Sequence, residues 1–102
     1  MDTKVFEEIG LTKGEIKVYI SLLEEGASSA GKIIQKANIP NSAFHYNVNR
    51  LINKGIVSYT KKNNFKIYIA NNPDNIIEYI NDKTKKIKEL IPLLKEEQKE
   101  SS

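Results

Sequence analysis

The segment from Asn38 to Tyr59, NIPNSAFHYNVNRLINKGIVSY, holds the side chains best suited to chemistry. Phe44, Val48 and Leu51 recur at four and three residues, which is the period of a helix buried on one side. At about 100° per residue, Ser42, Tyr46, Asn49 and Asn53 project to the opposite side, with Asn41, His45 and Arg50 beside them. That face carries amides, hydroxyls, one imidazole and one guanidinium, and no carboxylate. Such groups donate and accept hydrogen bonds, but they do not assemble a catalytic set. His45 is the only histidine and there is no cysteine. A cysteine-ligated metal, a thiolate nucleophile and a His-based triad are therefore all excluded. We expect no cofactor, no metal and no enzymatic activity.

Charge along the chain supports a recognition role. From Gly26 to Pro73 there are seven positive residues, Lys32, Lys36, Arg50, Lys54, Lys61, Lys62 and Lys66, and no acid. The first 25 residues carry a net −3 and residues 74–102 a net −1, so the overall +3 conceals one purely basic middle. A stretch of one sign attracts polyanions. Hydrophobic content of 39% and charged content of 28% fit a single globular domain. No run approaches the roughly 18 apolar residues of a membrane span. The opening MDTKVFEEIGL is acidic and lacks the apolar core of a signal peptide. A cytoplasmic location is the expectation.

The flanking elements follow from their own signals. TKVFEEIG suggests a short helix ended by Gly10. Thr12 and Glu15 stand three apart, as in a capping box, and Ile16, Tyr19, Ile20 and Leu23 then form an apolar stripe ended by a left-handed Gly26. Ser28 or Ser29 can cap a third helix with Ala30, Ile33, Ile34 and Ala37 inward, and Pro40 stops it. After Gly55, IVSYTKK and FKIYIA alternate around Asn63-Asn64, a pair that tolerates positive φ. These predict a two-stranded hairpin with Lys61, Lys62 and Lys66 near its tip. Tyr59, Phe65, Ile67 and Tyr68 are expected to pack within that hairpin. Asn72 as N-cap and Pro73 at the first position open a last helix. Ile80, Ile87, Leu90 and Leu94 recur along it at heptad-like positions, with Lys83 and Thr84 filling a gap. Pro92 predicts a kink or break, and KEEQKESS a frayed tail.

The fold expected is mainly α with a small β-hairpin wing: a winged helix-turn-helix over residues 1–72 and a long C-terminal dimerisation helix over 73–102. In a helix-turn-helix the second helix enters the DNA major groove. A carboxylate there would meet phosphate, whereas amides and hydroxyls can serve bases and phosphates alike.

The chain resembles the N-terminal domain of the TrmB family of transcriptional regulators over roughly Phe6 to Ile80. The likeness lies in GLTKGEIKVYISLLEEG, IPNSAFHYNVNRLINKGIV and YIANNPDNIIEYI, taken in that order. The family often has a tyrosine in place of His45 and a basic residue in place of Asn41, so the base-reading pattern is expected to be this chain's own. The resemblance implies double-stranded DNA and a second copy as partners. It does not imply the sugar sensing of the C-terminal domain that full-length members often carry, so any small-molecule effector is unknown. A winged helix that docks protein rather than DNA is the alternative.

Each candidate residue has two readings. Asn41 and Ser42 begin the helix, where base edges are approached. His45 either contacts DNA or packs on the helix flank. Tyr46 either meets a phosphate or thymine methyl, or packs on the wing or a partner. Asn49 either binds adenine through N6 and N7, or is simply solvated. Arg50 either forks onto phosphate or guanine, or pairs with an acid of the N-terminal helices. Lys61, Lys62 and Lys66 either touch phosphate or only solubilise the hairpin.

Overall fold

The computed structural model describes residues 1–101. The chain runs α1 (Lys4–Glu8), α2 (Lys13–Glu25), β1 (Ser28–Ser29), α3 (Ala30–Ala37), α4 (Asn41–Asn53), β2 (Val57–Lys62), β3 (Phe65–Ala70) and α5 (Asn75–Ser101). This is a winged helix-turn-helix with a long terminal helix. The expected capping box is formed: the Thr12 hydroxyl accepts from the Glu15 amide at 3.2 Å, and the Glu15 carboxylate accepts from the Thr12 amide at 2.9 Å.

The core gathers Leu11, Ile16, Val18, Tyr19 and Leu22 from the α2 region, Ile33 from α3, Phe44, Val48 and Leu51 from α4, and Ile56, Val57 and Tyr68 from the wing base. The inward stripe of α2 is wider than expected and differs at one position. Ile16 and Tyr19 are buried as expected and Ile20 packs on the core, but Glu15, Val18 and Leu22 are buried too, while Leu23 is 41% exposed. Glu15, Val18, Tyr19 and Leu22 follow i, i+3, i+4, i+7. The first of these is a glutamate, which hides the register from a search for apolar residues alone. Gly26 has the expected positive φ of 82°, but its ψ of −165° is not that of a left-handed helical cap.

The hairpin is joined by a third strand that the sequence did not announce. β1 pairs antiparallel with β3, Ser28 opposite Tyr68 and Ser29 opposite Ile67, so the strand order is β1-β3-β2. Two residues of serine give no periodicity to read. Ser28 Oγ donates to the Gly26 carbonyl at 2.8 Å, and Ser29 precedes α3 without a side-chain cap. The turn between the helices uses Asn38 in the left-handed region, φ 53° and ψ 55°, before Pro40.

Three further expectations change along α5. The helix begins at Asn75 rather than Pro73. Asn72 instead caps a preceding turn, its Oδ1 accepting from the Asp74 amide at 2.9 Å. Pro92 does not break the helix, which continues through the KEEQKES segment to Ser101 instead of ending there. Around Pro92 every side chain is exposed, so the carbonyl that loses its amide partner is open to water. Ser102, the last residue of the expected frayed tail, lies outside the described residues. Ile76 and Tyr79 pack on the core, whereas α5 has no buried residue and is exposed throughout from Asn81. The helix therefore projects, giving a molecule 58 Å long and about 25 Å across. Among the described residues no helix is long and apolar enough to cross a membrane.

Candidate nucleic-acid interface

α4 is fixed on three sides. Phe44, Val48 and Leu51 are fully buried, and Phe44 meets the Tyr68 ring edge-on at 5.2 Å. Asn47 is also buried, and its Nδ2 donates to the Ala43 carbonyl at 2.8 Å. Opposite it stands Gly14 of α2. A Cβ on Gly14 would lie 2.5 Å from Asn47 Nδ2, so glycine is what lets the two helices approach this closely. At its far end α4 is tied down by charge. Lys54, the C-cap residue, hydrogen-bonds the Glu15 carboxylate, and Arg50 Nε lies 3.7 Å from the same group. Glu15 is inaccessible to solvent. Burial alone would raise its pKa, but the Lys54 hydrogen bond, the Thr12 amide, the Lys54 charge and the Thr12 hydroxyl together hold it below the ordinary value.

With those contacts made, Asn41, Ser42, His45, Tyr46, Asn49, Arg50 and Asn53 are left on the exposed face. Tyr46 is 62% exposed. The Arg50 guanidinium carbon sits 5.4 Å from the Tyr46 ring centre, and its Nη1 donates to the Tyr46 hydroxyl at 3.4 Å. So Arg50 pairs with an acid of the N-terminal helices, as one of its two readings had it, and also braces Tyr46 from the exposed side. His45 stays exposed while its ring meets the Phe44 ring edge-on at 5.1 Å.

The wing is anchored at its base. The Asn71 amide nitrogen donates to the Gly55 carbonyl at 2.9 Å, and its Oδ1 accepts from Ser58 Oγ at 2.7 Å. At the tip, Asn63 and Asn64 have φ of 52° and 68°, the two positive angles a type I′ turn needs. Lys61 opposes Lys66, and Lys62 opposes Phe65. Lys66 Nζ lies 4.5 Å from the Tyr59 ring centre.

Pairing changes how the basic middle of the chain acts. Glu25 takes Lys32 at 3.0 Å and Lys36 at 3.8 Å, and Glu15 takes Arg50 and Lys54. Two acids from outside the segment thus partner four of its seven cations. Lys61, Lys62 and Lys66 form no ion pair among the described residues, so the unpaired cations of this segment all lie on the wing.

Tyr68 is buried as expected, Tyr59 is 41% exposed and Ile67 half-buried. Phe65 does not pack within the hairpin; it is 71% exposed. The positioning contacts of Gly14, Asn47, Lys54 and Asn71 were missed by sequence reasoning, which counts Lys54 only as one charge of the basic segment. Only the Thr12–Glu15 spacing hinted at any of their contacts, by marking Glu15 as a structured position.

The family profile described as "Sugar-specific transcriptional regulator TrmB" matches residues 6–74, more than half of the chain. The chain belongs to the TrmB family. Among solved structures, a possible transcriptional regulator from Methanosarcina mazei Go1 superposes with a TM-score of 0.68 at 21% identity, covering 94% of this chain and 83% of that one. Transcriptional regulator Tm0710 from Thermotoga maritima gives 0.63 at 18% identity, covering 94% and 80%. The MarR family regulator NMB1585 from Neisseria meningitidis gives 0.57 at 15%, covering 89% and 65%. At these identities the likeness is one of fold. No curated protein of similar sequence was found. This TrmB-family chain is thus a transcriptional regulator of the winged-helix type.

Proposed function

We propose that this regulator binds double-stranded DNA sequence-specifically as a homodimer. The observation that carries the reading is the exposed face of α4. It is free of carboxylates, is held rigidly on α2, and is followed in the chain by a wing whose lysines have no acid partner among the described residues. In this arrangement α4 enters the major groove. Asn41, Ser42, His45, Tyr46 and Asn49 approach bases and phosphates, and Arg50 holds the Tyr46 ring while keeping donors for phosphate. Lys61, Lys62 and Lys66 supply phosphate contacts that carry affinity rather than sequence. Tyr46 is the one large hydrophobic side chain exposed on α4, so that face lacks the contiguous apolar patch that marks a protein-docking site.

The projecting helix supplies the second half of the proposal. Ile87, Leu90 and Leu94 are 53%, 43% and 49% exposed, and Ile80 and Ile87 line a groove against Glu8 and Ile9 of the α1 region. Apolar side chains at heptad-like spacing on a helix without a partner meet their own copies across a two-fold axis. Ile80, Ile87, Leu90 and Leu94 are the proposed contacts. Lys83 leans to the Tyr79 ring, 4.8 Å from its centre, which draws its charge toward the domain. Two protomers would then present two α4 helices to half-sites about one helical turn apart.

The test is duplex binding against salt. With about four to six phosphates neutralised per protomer, log K should fall with log salt by about 0.9 for each. A flat salt response, or no shift with any duplex at low salt, would overturn the reading.

A further inference from the structure

The wing tip pairs an exposed aromatic ring with the three cations of the basic segment that have no acid partner among the described residues. Phe65 is the first residue of β3 and lies 71% exposed beyond a two-residue turn. Leaving an aromatic side chain of this size in water forgoes the free energy of burying it, so a functional contact is the physical reason to look for. Cross-strand partners share a face of a sheet, as do residues two apart. Phe65 therefore shares a face with Lys62, Thr60 and Ile67, while Lys61 and Lys66 flank it from the other. Val57 to Ala70 contains no acid.

The hairpin is built to hold that ring out. Tyr68 is buried and opposes Tyr59, so the sheet is anchored three residues before the tip. At about 3.3 Å per residue the tip reaches roughly 10 Å beyond this anchor. Both turn asparagines adopt the left-handed angles of a tight turn, which leaves the tip short.

We infer that Phe65 is an apolar contact to the DNA minor groove, placed there by the three wing lysines. The inference rests on the DNA-binding reading above and adds a contact of different chemistry to it. A minor groove about 6 Å wide and 7.5 Å deep has phosphates on its rims and sugar and base edges within. Lysines suit the rims, and an apolar ring suits the interior. Apolar side chains at such positions press on a base step and favour sequences that deform easily, so Phe65 contributes specificity without hydrogen bonds. A protein partner on this face of the wing is the rival occupant. It would cover Ile69 at the wing base, which lies on the same face and is 44% exposed, as well as Phe65. The lysines gather at Phe65 and not at Ile69, which favours DNA.

The chain has no tryptophan, so Phe65→Trp makes a single emission probe. The probe partner is a mixed-sequence duplex of about 25 base pairs, long enough for two half-sites one turn apart. Binding should quench the Phe65→Trp emission and protect it from acrylamide. Phe65→Ala should lower affinity for the duplex about tenfold while leaving the salt slope unchanged, because no charge is lost. Ile69→Ser should bind as the parent does. Far-ultraviolet circular dichroism and sedimentation of each variant show that fold and assembly are kept. If the parent binds the duplex but Phe65→Ala binds equally well, or the tryptophan emission does not move in the complex, the inference falls and DNA binding stands. A change of assembly with Phe65→Ala would assign the ring to a protein contact instead. If the parent itself binds no duplex, both readings fall.

Discussion

The Lys54 ammonium, at the end of the proposed recognition helix, hydrogen-bonds the Glu15 carboxylate in the first turn of α2, 39 residues earlier. Glu15 is fully buried and also holds the Thr12 amide. One carboxylate therefore caps one helix and positions the end of another. Removing one partner of a buried ion pair leaves the other uncompensated, at a cost of about 3–5 kcal/mol. The Lys54 side chain keeps 15% exposure, so the lower end applies. Glu15→Ala should cost about 3 kcal/mol in urea denaturation. A loss under about 1 kcal/mol, the scale of a cap alone, would show that the pair adds nothing.

The same carboxylate sets a pH dependence. Its pKa in the folded protein lies below the ordinary glutamate value, so folding favours the ionised form. The stabilisation is complete above the unfolded value of about 4.3 and is lost as pH falls through the lower folded value. Midpoint temperatures of the parent should therefore drop more steeply below about pH 4.3 than those of Glu15→Gln, which cannot titrate there. Parallel curves would contradict the assignment.

Gly14 predicts an inverted substitution effect. Alanine in place of glycine within a helix ordinarily stabilises by about 0.5–1 kcal/mol. Here the new Cβ would lie 2.5 Å from Asn47 Nδ2, which is buried and hydrogen-bonded to Ala43. Gly14→Ala should destabilise by about 1–2 kcal/mol as an overpacked contact. Adding Asn47→Ala to it should recover part of that loss, as expected of residues that share one contact. Additive losses would mean that the contact relaxes elsewhere.

The order of helices, the acid-free face of α4 and the lysine-tipped hairpin were legible because each rests on local periodicity or on turn residues. Phe44, Val48 and Leu51 announce the buried side of α4 by spacing alone. What escaped depends on residues far apart in sequence or too few to show a period. β1 is two serines. Glu15 occupies a core position with a charged side chain, so spacing alone reads Ile16, Tyr19 and Ile20 as inward but takes Leu23 in place of Leu22. Asn47 reads as one more polar residue of α4, and its burial follows only from the approach of Gly14. Phe65 reads as strand, but its place beside a two-residue turn puts it past the last neighbour that could cover it. Pro92 argued for a break on local grounds, but at an exposed position water can replace the lost bond.

Reading and holding should separate by mutation. Asn49→Ala or Tyr46→Ala should blur preference at one base position, by about 1–3 kcal/mol. Lys61→Ala with Lys62→Ala should weaken all sequences alike and flatten the salt slope. If both sets lowered affinity without altering preference, α4 would not be the reading element.

Assembly should depend on α5. Leu90→Asp with Leu94→Asp alters only exposed positions, so the fold should persist. Sedimentation at tens of micromolar should give a dimer for the parent and a monomer for this variant. A monomeric parent, or a variant that stays dimeric, would remove α5 as the interface.

Selection of bound sequences from random duplex DNA tests the central claim most directly, because it reports specificity and symmetry in one readout. A homodimer presenting two α4 helices should enrich a two-fold symmetric motif, its half-sites about one helical turn apart. A pool that remains random after repeated selection at physiological salt would contradict sequence-specific binding, and a single asymmetric site would contradict the homodimer.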